Sequence, residues 1–331
     1  MMTLIPKTNL DFISKRWIFF GISLTLMALS FVSFAVKGLN LGLDFTGGTL
    51  LQVQFSQPAG IDAVRSALDK AGINGVSLQT FTGRNAYAIS VKGKQENVNV
   101  IGNKLKDALT AGLSGNAFKV ERLEYVGPAV GRDMTKKALW AMILSFFGMI
   151  VYIAFRFSNP LWGAMGVIAD FHDIIIVVGI LSLTGKEIDL VVIAAVLTIA
   201  GYSINDTVVT FDRMREHLKL NVRMPLGELI NRSINETLSR TMMTTATVFL
   251  AILSLYFLGG EVIHNFAFTM LVGCILGTYS TIAIATPLLY EWAEGRNSKK
   301  QSQQPEKPQA IAQQQQGYSK KARKNAQNTP V

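Results

Sequence analysis

The segment "IAGYSINDTVVTFDRMRE", residues 199–216, decides how the rest of the sequence is interpreted. Asn205 and Asp206 interrupt a run that is otherwise apolar enough to lie inside a membrane. An ionised carboxylate at the centre of a lipid-embedded helix costs about 3 kcal/mol, so such residues usually face protein or water and have a function. The segment therefore predicts a membrane helix in which one face has a chemical role.

The sequence around this segment is that of a membrane protein. Of its 331 residues, 49% are hydrophobic and 16% are charged, and the apolar residues are clustered in blocks. A helix of about 20 residues crosses the apolar core of a bilayer. The first block is longer than the core of a cleaved signal peptide, so we expect it to be retained as a span. Six blocks reach spanning length, at residues 17–36, 138–155, 161–183, 188–211, 241–258 and 266–290.

The distribution of basic residues predicts the orientation of the spans. Lys and Arg are concentrated in residues 1–16, in residues 213–239 and after residue 292. Because cytoplasmic segments carry an excess of Lys and Arg, these three segments, and with them both termini, are predicted to be cytoplasmic. The Gln-rich tail, residues 293–331, has a composition typical of disorder. We expect this basic tail to be solvated or to contact anionic membrane lipid or an acidic partner, and we expect no nucleic acid partner.

Residues 37–137 are far more polar than the blocks on either side, which predicts a water-exposed domain outside the cytoplasm. Its β-branched and aromatic runs alternate with two helical patterns in the order β-α-β-β-α-β, which is typical of a ferredoxin-like α+β sandwich. The sequence therefore predicts an α-helical membrane protein of six transmembrane helices, with this domain between the first and second and a five-helix bundle in residues 138–292. The predicted strands are 49–56, 76–82, 87–93 and 117–126, and the predicted helices are 61–71 and 98–109.

Two glycine-containing segments flank this domain, "GLDFTGG" at residues 42–48 and "GPAVGRD" at residues 127–133. Glycine permits backbone conformations that other residues avoid, so both segments are candidates for a hinge. Tight turns between a span and a soluble fold are the alternative interpretation. The residues that we assign to the hinge are Gly47, Gly48, Gly127 and Pro128.

Residues 213–239 carry basic residues together with apolar residues at helical spacing. This pattern predicts an amphipathic helix that lies along the cytoplasmic membrane surface. Its apolar positions are Leu226, Leu229, Ile230, Ile234 and Leu238.

Charged residues inside the spans are the candidate functional groups. Asp206 shares a helix face with hydroxyl groups of the fourth span, and Arg240 begins a similar face in the fifth. Since these two helices are antiparallel and both charges lie in their cytoplasmic halves, we expect Asp206 and Arg240 to approach one another. Arg240 could instead extend to the lipid headgroups, and Asp206 could be a static hydrogen-bonding group between helices. The supporting polar stripe is predicted to consist of Thr198, Tyr202, Asn205 and Thr244.

The third span carries Asp170, His172 and Asp173. Asp170 and Asp173 lie one turn apart on a small, polar helix face, which indicates a path lined by polar groups rather than a packed helix contact. His172 is offset from this face and is predicted to be structural. We expect no metal site, because this cluster lacks the spacing of metal ligands and Cys274 is the single cysteine. We also expect no cofactor and no enzymatic activity, because no segment groups a nucleophile, a base and oxyanion donors. Protons are the expected coupling ion.

Small residues in the third and sixth spans predict close approach between helices. They are Gly163, Gly166, Gly273 and Gly277.

Taken together, "LDFTGG", "GP" before the second span, "HDIIIVVGILSL", "GYSINDTVVTFDRMRE" and "SRT" resemble the SecD/SecF family of the resistance-nodulation-division superfamily. The resemblance covers residues 15–292. It implies an accessory subunit of the Sec preprotein translocase in the bacterial inner membrane, which uses the proton-motive force with SecD to promote late steps of translocation. The partners that it implies are SecD, the SecYEG channel, YajC, YidC and the translocating preprotein.

The resemblance also assigns roles to individual residues. The intramembrane acid of the family corresponds to Asp206 and its basic partner to Arg240, while Asp173 falls in the "HD" motif of the third span. A buried acid that is neutralised either by a proton or by a guanidinium can switch between two states, and we expect this switch to move the external domain. A proton-driven small-molecule exporter and a passive scaffold for translocon assembly are the alternative functions.

Overall fold

The computed structural model describes residues 8–73, 75–81, 85–92, 98–157, 160–220 and 224–303. Within these ranges six helical segments are long and apolar enough to cross a membrane, at Arg16–Val36, Pro128–Arg156, Leu161–Thr184, Leu190–Leu220, Leu226–Leu258 and Ile263–Arg296. In chain order the elements are α1 (Arg16–Val36), α2 (Leu43–Thr46), β1 (Gly48–Phe55), α3 (Ile61–Lys70), β2 (Val76–Thr80), β3 (Ala86–Lys92), α4 (Val98–Gly112), β4 (Phe118–Val126), α5 (Pro128–Arg156), α6 (Pro160–Thr184), α7 (Leu190–Leu220), α8 (Leu226–Leu258), α9 (Glu261–Ser280), a π-helical turn (Thr281–Ala285) and α10 (Thr286–Gln303). The predicted fold class, a six-helix membrane protein with one α+β domain, is confirmed.

The α+β domain is built on a four-stranded antiparallel sheet with the strand order β2-β3-β1-β4. Helices α3 and α4 cover one face, since Leu68 and Leu105 share a fully buried core with Leu51 and Ile89 of the central strands. This is the β-α-β-β-α-β arrangement that the sequence predicts, with strand ends within one or two residues of the predicted ones in the described residues. Residues 82 and 93, the last of two predicted strands, lie outside the described residues.

The entry to this domain is a tight backbone turn at two successive glycines. Gly47 has φ 70° and Gly48 has φ 146°, a region that side-chain-bearing residues rarely adopt. The exit is of a different kind, because Gly127 has an ordinary φ of −65° and Pro128 opens α5 at a position where its missing N–H costs nothing. The structure thus requires glycine at the entry, and the assignment of all four residues to a hinge stays a prediction.

The membrane bundle is organised around α7, which packs against α6, α8 and α9. The predicted close approaches at small residues are confirmed at Gly273, which faces Ile199, and at Gly277, which faces Ser203. A Cβ at Gly277 would lie 3.1 Å from the Cβ of Ser203, so the absence of a side chain lets α9 approach α7.

A further close approach, between α1 and α6, was not predicted from the sequence. A Cβ at Gly179 would collide with the side chain of Ser30 and lie 2.9 Å from its Cα, so the backbone of α1 would have to move. We expect Gly179→Ala to lower the free energy of unfolding by about 1–3 kcal/mol, the usual range for overpacking. Thermal unfolding of the full chain in detergent measures this effect.

The control for this prediction is Gly148→Ala in α5, where a Cβ would meet nothing within 4 Å. The better helix propensity of alanine is expected to leave this variant unchanged or more stable by up to about 1 kcal/mol. Equal unfolding temperatures for the two variants would show that the α1–α6 contact does not limit stability.

The amphipathic surface helix predicted in residues 213–239 is corrected by the structure. Helix α7 continues to Leu220 and α8 begins at Leu226, so the segment is divided between two helices that extend from the bundle. Leu229 and Ile230 are fully buried, which means that protein covers this apolar face. The extended ends contact each other: Arg213 of α7 donates a hydrogen bond to Glu236 of α8.

The segment before α1 is fastened to the start of α8. The Asn235 side chain pairs with the backbone of Leu10, accepting from its N–H at 2.9 Å and donating to its carbonyl at 2.8 Å. The Asn231 Oδ1 accepts from the N–H groups of Phe12 and Ile13 at 2.9 and 3.1 Å. These contacts hold residues 10–13 against the end of the bundle that is opposite to the α+β domain.

The end of the chain differs in part from the predicted disordered tail. Helix α10 continues to Gln303, so residues 293–303 are helical. Residues 304–331, which carry most of the Gln-rich tail, lie outside the described residues, as do residues 1–7.

Candidate functional site

The third, fourth and sixth spans meet at the carboxylate of Asp173. This side chain is fully buried, and its Oδ2 accepts hydrogen bonds from Ser203 of α7 at 2.7 Å and from Ser280 of α9 at 2.6 Å. Its Oδ1 lies 3.0 Å from Nδ1 of His172. Asp173 is therefore a polar junction between three membrane helices, and His172, predicted to be only structural, contacts it directly.

The backbone around this junction brings α7 and α9 close together. Gly277 precedes Ser280 by nearly one turn and leaves room for Ser203 on the facing helix. The π-helical turn begins at Thr281, directly after Ser280, and such turns occur frequently at functional sites. The hydroxyl groups of Thr281 and Thr207 lie 2.9 Å apart and extend the polar contact along α7.

Sequence reasoning missed Ser203, Ser280 and Thr281. Ser203 and Ser280 stand next to glycines in the folded bundle, and Ser280 follows Gly277 at helical spacing. A search for hydroxyl residues one turn from the predicted small-residue contacts could have found Ser280. The orientation that the π-helical turn gives to this segment has no comparable sequence signal.

Asp206 lies on the same face of α7, one turn after Ser203. Its side chain is 4% exposed, and its Oδ2 has no hydrogen-bond partner in the part of the chain that the structure describes. An unpaired carboxylate out of water is unfavourable unless it takes up a proton or faces a positive charge. The geometry therefore makes Asp206 a group whose charge state depends on its surroundings.

Arg240, on α8, is the basic residue predicted to pair with Asp206, and it is exposed. The two side chains are not within the 4.0 Å of an ion pair. The expected approach of Arg240 to Asp206 across α7 and α8 stays a prediction. Arg240 also lines a cleft of about 300 Å³ at the end of the bundle away from the α+β domain. The other residues lining this cleft are Val209, Asp212, Arg213, Glu216, Glu236 and Thr237.

The walls of this cleft are joined by ion pairs. Arg213 pairs with Glu216 at 2.5 Å and also with Glu236 across the two helices. His217 is buried, and its Nε2 lies 2.8 Å from the same Glu236. Carboxylates and a histidine thus lie beside Arg240 at the surface of the protein.

Asp170 is a second unpaired acid in the bundle. It is 1% exposed, and neither of its carboxylate oxygens has a hydrogen-bond partner in the described ranges. It stands one helical turn from Asp173, so two carboxyl groups share one face of α6. Such a pair is stabilised when it holds at least one proton, because two like charges out of water repel each other.

The predicted supporting stripe is only partly where it was expected. Tyr202 donates a hydrogen bond from its hydroxyl to Thr245 of α8 at 2.9 Å. Thr198 and Thr244 instead bond to backbone carbonyls of their own helices, and Asn205 is exposed. The helical rotation of about 100° per residue explains the difference, because it places Ser203, Thr207 and Thr210, rather than Asn205, on the buried face of Asp206. The roles of these residues in proton coupling stay predictions.

Comparison with known proteins places this geometry in a family. The model of "Protein export membrane protein SecD/SecF, C-terminal" matches residues 105–295, and that of the SecD/SecF GG motif matches residues 32–59. The second match contains the glycine pair at the entry to the α+β domain. Parts of the α+β domain and all five helices of the bundle that follow it therefore lie in matches to the same family.

Individual relatives agree with these matches. The chain is 42% identical to the protein translocase subunit SecF of Endomicrobium trichonymphae, over 90% of this chain and 96% of that one. It is 43% identical to SecF of Calditerrivibrio nitroreducens, over 86% and 94% of the two chains. These relatives are translocase subunits, in agreement with the prediction that the chain is not an enzyme.

A solved structure agrees as well. The crystal structure of SecDF, a translocon-associated membrane protein from Thermus thermophilus, superimposes with a TM-score of 0.77 at 35% identity. The match covers 89% of this chain and 40% of that longer chain. The resemblance predicted from the motifs is thus confirmed, and the chain belongs to the SecD/SecF family of protein export membrane proteins.

Proposed function

We propose that the chain works with a SecD partner to convert the proton-motive force into late steps of protein translocation across the bacterial inner membrane. Its six apolar helices and its SecF relatives make it a multi-pass protein of that membrane. The basic segments at both ends of the chain and at the adjoining ends of α7 and α8 support an orientation with both termini in the cytoplasm and the α+β domain in the periplasm.

The observation that carries this proposal is the buried carboxylate oxygen of Asp206, which has no hydrogen-bond partner in the described residues, on a helix that packs against α8 with Arg240. Asp206 can be neutralised by a proton, or it can stay ionised under the influence of the guanidinium. These two states differ in the attraction between the two helices, so proton binding changes the contact between α7 and α8. A helix pair with two arrangements is what a proton-driven machine needs.

Hydroxyl groups give protons a route to Asp206 from the third span. Ser203 donates to Asp173 at 2.7 Å and stands one turn from Asp206, and Thr207 and Thr281 extend the polar face. In the proposed cycle, Asp173 and these hydroxyl groups pass protons towards Asp206. No cofactor takes part, and the proton is the coupling ion.

The cleft at the other end gives protons a route out. Arg240 lies at this cleft, and the carboxylates of Asp212, Glu216 and Glu236 line it. A proton released from Asp206 reaches water and acceptor groups there. In the predicted orientation this end faces the cytoplasm. In a respiring cell the cytoplasm is the side of lower electrochemical potential for protons.

The output of the cycle is a movement of the α+β domain relative to the bundle, which helps to hold or pull the emerging preprotein. SecYEG is the proposed channel, YajC and YidC are proposed further partners, and the SecD partner supplies the second half of the proton path. The titles of the relatives, which describe translocase subunits and a translocon-associated protein, support this assignment.

The experiment uses inverted inner-membrane vesicles that contain the channel and the SecD partner, with or without the full chain. A preprotein is translocated with ATP, and an ionophore then collapses the proton gradient. We expect the ionophore to slow the completion of translocation much more in vesicles with the chain than in vesicles without it. The same ionophore effect in both preparations would contradict the proposal.

A further inference from the structure

The loop between α6 and α7, residues 185–189, ties the membrane bundle to the segment that leads into the α+β domain. Ile188 forms a short parallel bridge with Leu41: Gly42 donates to the carbonyl of Ile188 at 2.7 Å, and Ile188 donates to the carbonyl of Asn40 at 2.8 Å. The side chain of Asn40 adds a hydrogen bond to the carbonyl of Gly185 at 2.8 Å. The loop is therefore held by backbone and side-chain hydrogen bonds beside the entry to the domain.

Glu187, in the middle of this loop, contacts the sheet of the α+β domain directly. Its Oε2 accepts a hydrogen bond from the side chain of Gln79 on β2 at 3.1 Å. Its Oε1 lies 3.9 Å from the ammonium of Lys92, the last residue of β3. Asn265 of α9 reaches the backbone carbonyl of Glu187 at 3.5 Å. One residue thus connects two strands of the domain with two elements of the bundle.

The side chain of Glu187 is only 11% exposed, which distinguishes it from an ordinary surface carboxylate. Burial raises the pKa of Glu187, the positive charge of Lys92 acts against this rise, and the neighbouring carboxylates of Asp189 and Asp44 add to it. Lys92 is itself held in place by Asn40 Oδ1 at 2.5 Å and by the carbonyl of Leu41 at 2.6 Å.

The same loop is fixed to the beginning of α7. Asp189 Oδ1 accepts the N–H of Val192 at 2.7 Å and caps the helix, and Asp44 Oδ2 accepts the N–H of Leu190 at 3.0 Å. Because α6 carries Asp173 and α7 carries Asp206, the loop joins the two helices that bear the proton-coupling acids. A shift of α6 against α7 therefore displaces residues 185–189, which connect them.

We propose that Glu187 is a positioning residue that clamps the α+β domain to the α6–α7 loop and passes movement of these helices to the sheet. This inference rests on the proposed function for the origin of the movement. The clamp itself rests on the contacts of Glu187 with Gln79 and Lys92. Without the clamp, the domain keeps its covalent connections through α1 and α5 and the backbone bridge at Leu41, but its sheet loses the side-chain contact with the loop between the two helices that carry the acids.

The first test measures the position of the domain. Spin labels are placed on Asp107→Cys in α4 and Ser254→Cys in α8 of the full chain with Cys274→Ala, and the distance between them is measured by pulsed electron paramagnetic resonance. We expect one narrow distance peak for the parent and a broadened or split one for Glu187→Ala. Glu187→Gln should be intermediate, because its amide oxygen still accepts from Gln79 but no longer attracts Lys92.

The matched control is Glu121→Ala. Glu121 accepts a hydrogen bond from Gln52 at 2.6 Å, which is the same amide–carboxylate pair located within the sheet. The Glu121→Ala substitution should leave the distance peak narrow. If Glu187→Ala gives too little folded protein, Gln79→Ala removes the hydrogen bond from the side of the domain and should broaden the same peak. A parent-like peak for Glu187→Ala or for Gln79→Ala, or equal broadening in Glu121→Ala, overturns the clamp.

The second test measures transmission. In the vesicle assay, Glu187→Ala should lose most of the gradient-dependent part of translocation although Asp206 and Arg240 are intact, and Glu121→Ala should retain it. Undiminished gradient-dependent translocation in a Glu187→Ala chain with a broadened distance peak overturns the transmitting role. If instead the parent chain confers no gradient dependence but the distance peak responds as expected, the proposed function fails and the geometric clamp stands.

Discussion

Asp206→Asn is expected to abolish the gradient-dependent part of preprotein translocation while the chain still inserts and assembles. Asn has nearly the shape of Asp but can neither release a proton nor carry the charge that attracts Arg240. The carboxylate oxygen Oδ2 makes no hydrogen bond in the described part of the chain, so packing loses little by the change. The variant should therefore fail in function before it fails in stability.

The measurement is the vesicle assay with and without ionophore, together with the amount of chain that co-purifies with its partners in mild detergent. Asp133→Asn is the control, because it makes the same change in α5 at an exposed residue that pairs with Lys137. Normal gradient-dependent translocation by Asp206→Asn at parental protein levels would falsify the proton-coupling role. Loss of assembly would favour the passive scaffold, and proton flux coupled to a small molecule would favour an exporter.

The second large effect is expected for Gly48→Ala at the start of β1. Its φ of 146° is strained for alanine, and a Cβ would collide with the carbonyl of Val91 and lie 3.1 Å from the Cα of Lys92. Backbone strain and overpacking together should lower the free energy of unfolding of the α+β domain by about 2–4 kcal/mol. Gly48 pairs with Lys92, so the change also disturbs the strand end that meets Glu187.

Thermal unfolding and protease resistance of the full chain in detergent measure this effect. Gly127→Ala is the matched control at the other connection, because Gly127 has φ −65° and a Cβ there would meet its nearest atom, in Tyr125, at 3.5 Å. It should change stability by no more than about 0.5 kcal/mol. Equal losses in the two variants would mean that the entry turn has no special requirement for glycine.

The sequence was sufficient for the membrane helices and the order of elements in the α+β domain, because these depend on local properties. The length of an apolar run identifies a membrane span whatever the span packs against. Alternation of apolar and polar residues identifies a strand before its neighbouring strands are known. Asp206 and Arg240 are candidates for a related reason, since a charge in an apolar run is conspicuous. The structure adds that no ion pair within 4.0 Å joins them, so their pairing stays a prediction.

The remaining features depend on which surfaces meet, and the sequence could not give them. Ser203 and Ser280 are ordinary residues of membrane helices until the fold brings both to Asp173. The apolar face of residues 226–238 has the same pattern whether lipid or protein covers it, and the prediction of a surface helix was wrong for that reason. Glu187 was not predicted because its partners lie on strands about a hundred residues earlier in the chain.

The hydrogen bonds between Leu10 and Asn235 set a time order during biosynthesis. These two residues are separated by 225 positions. The ribosome therefore synthesises Asn235 long after the first span has left the ribosome. At about 5–20 residues per second, the N-terminal amides wait on the order of ten seconds or more for their acceptor. This closure completes only after the first turns of α8 have been made, so it marks a late step in the maturation of the nascent protein.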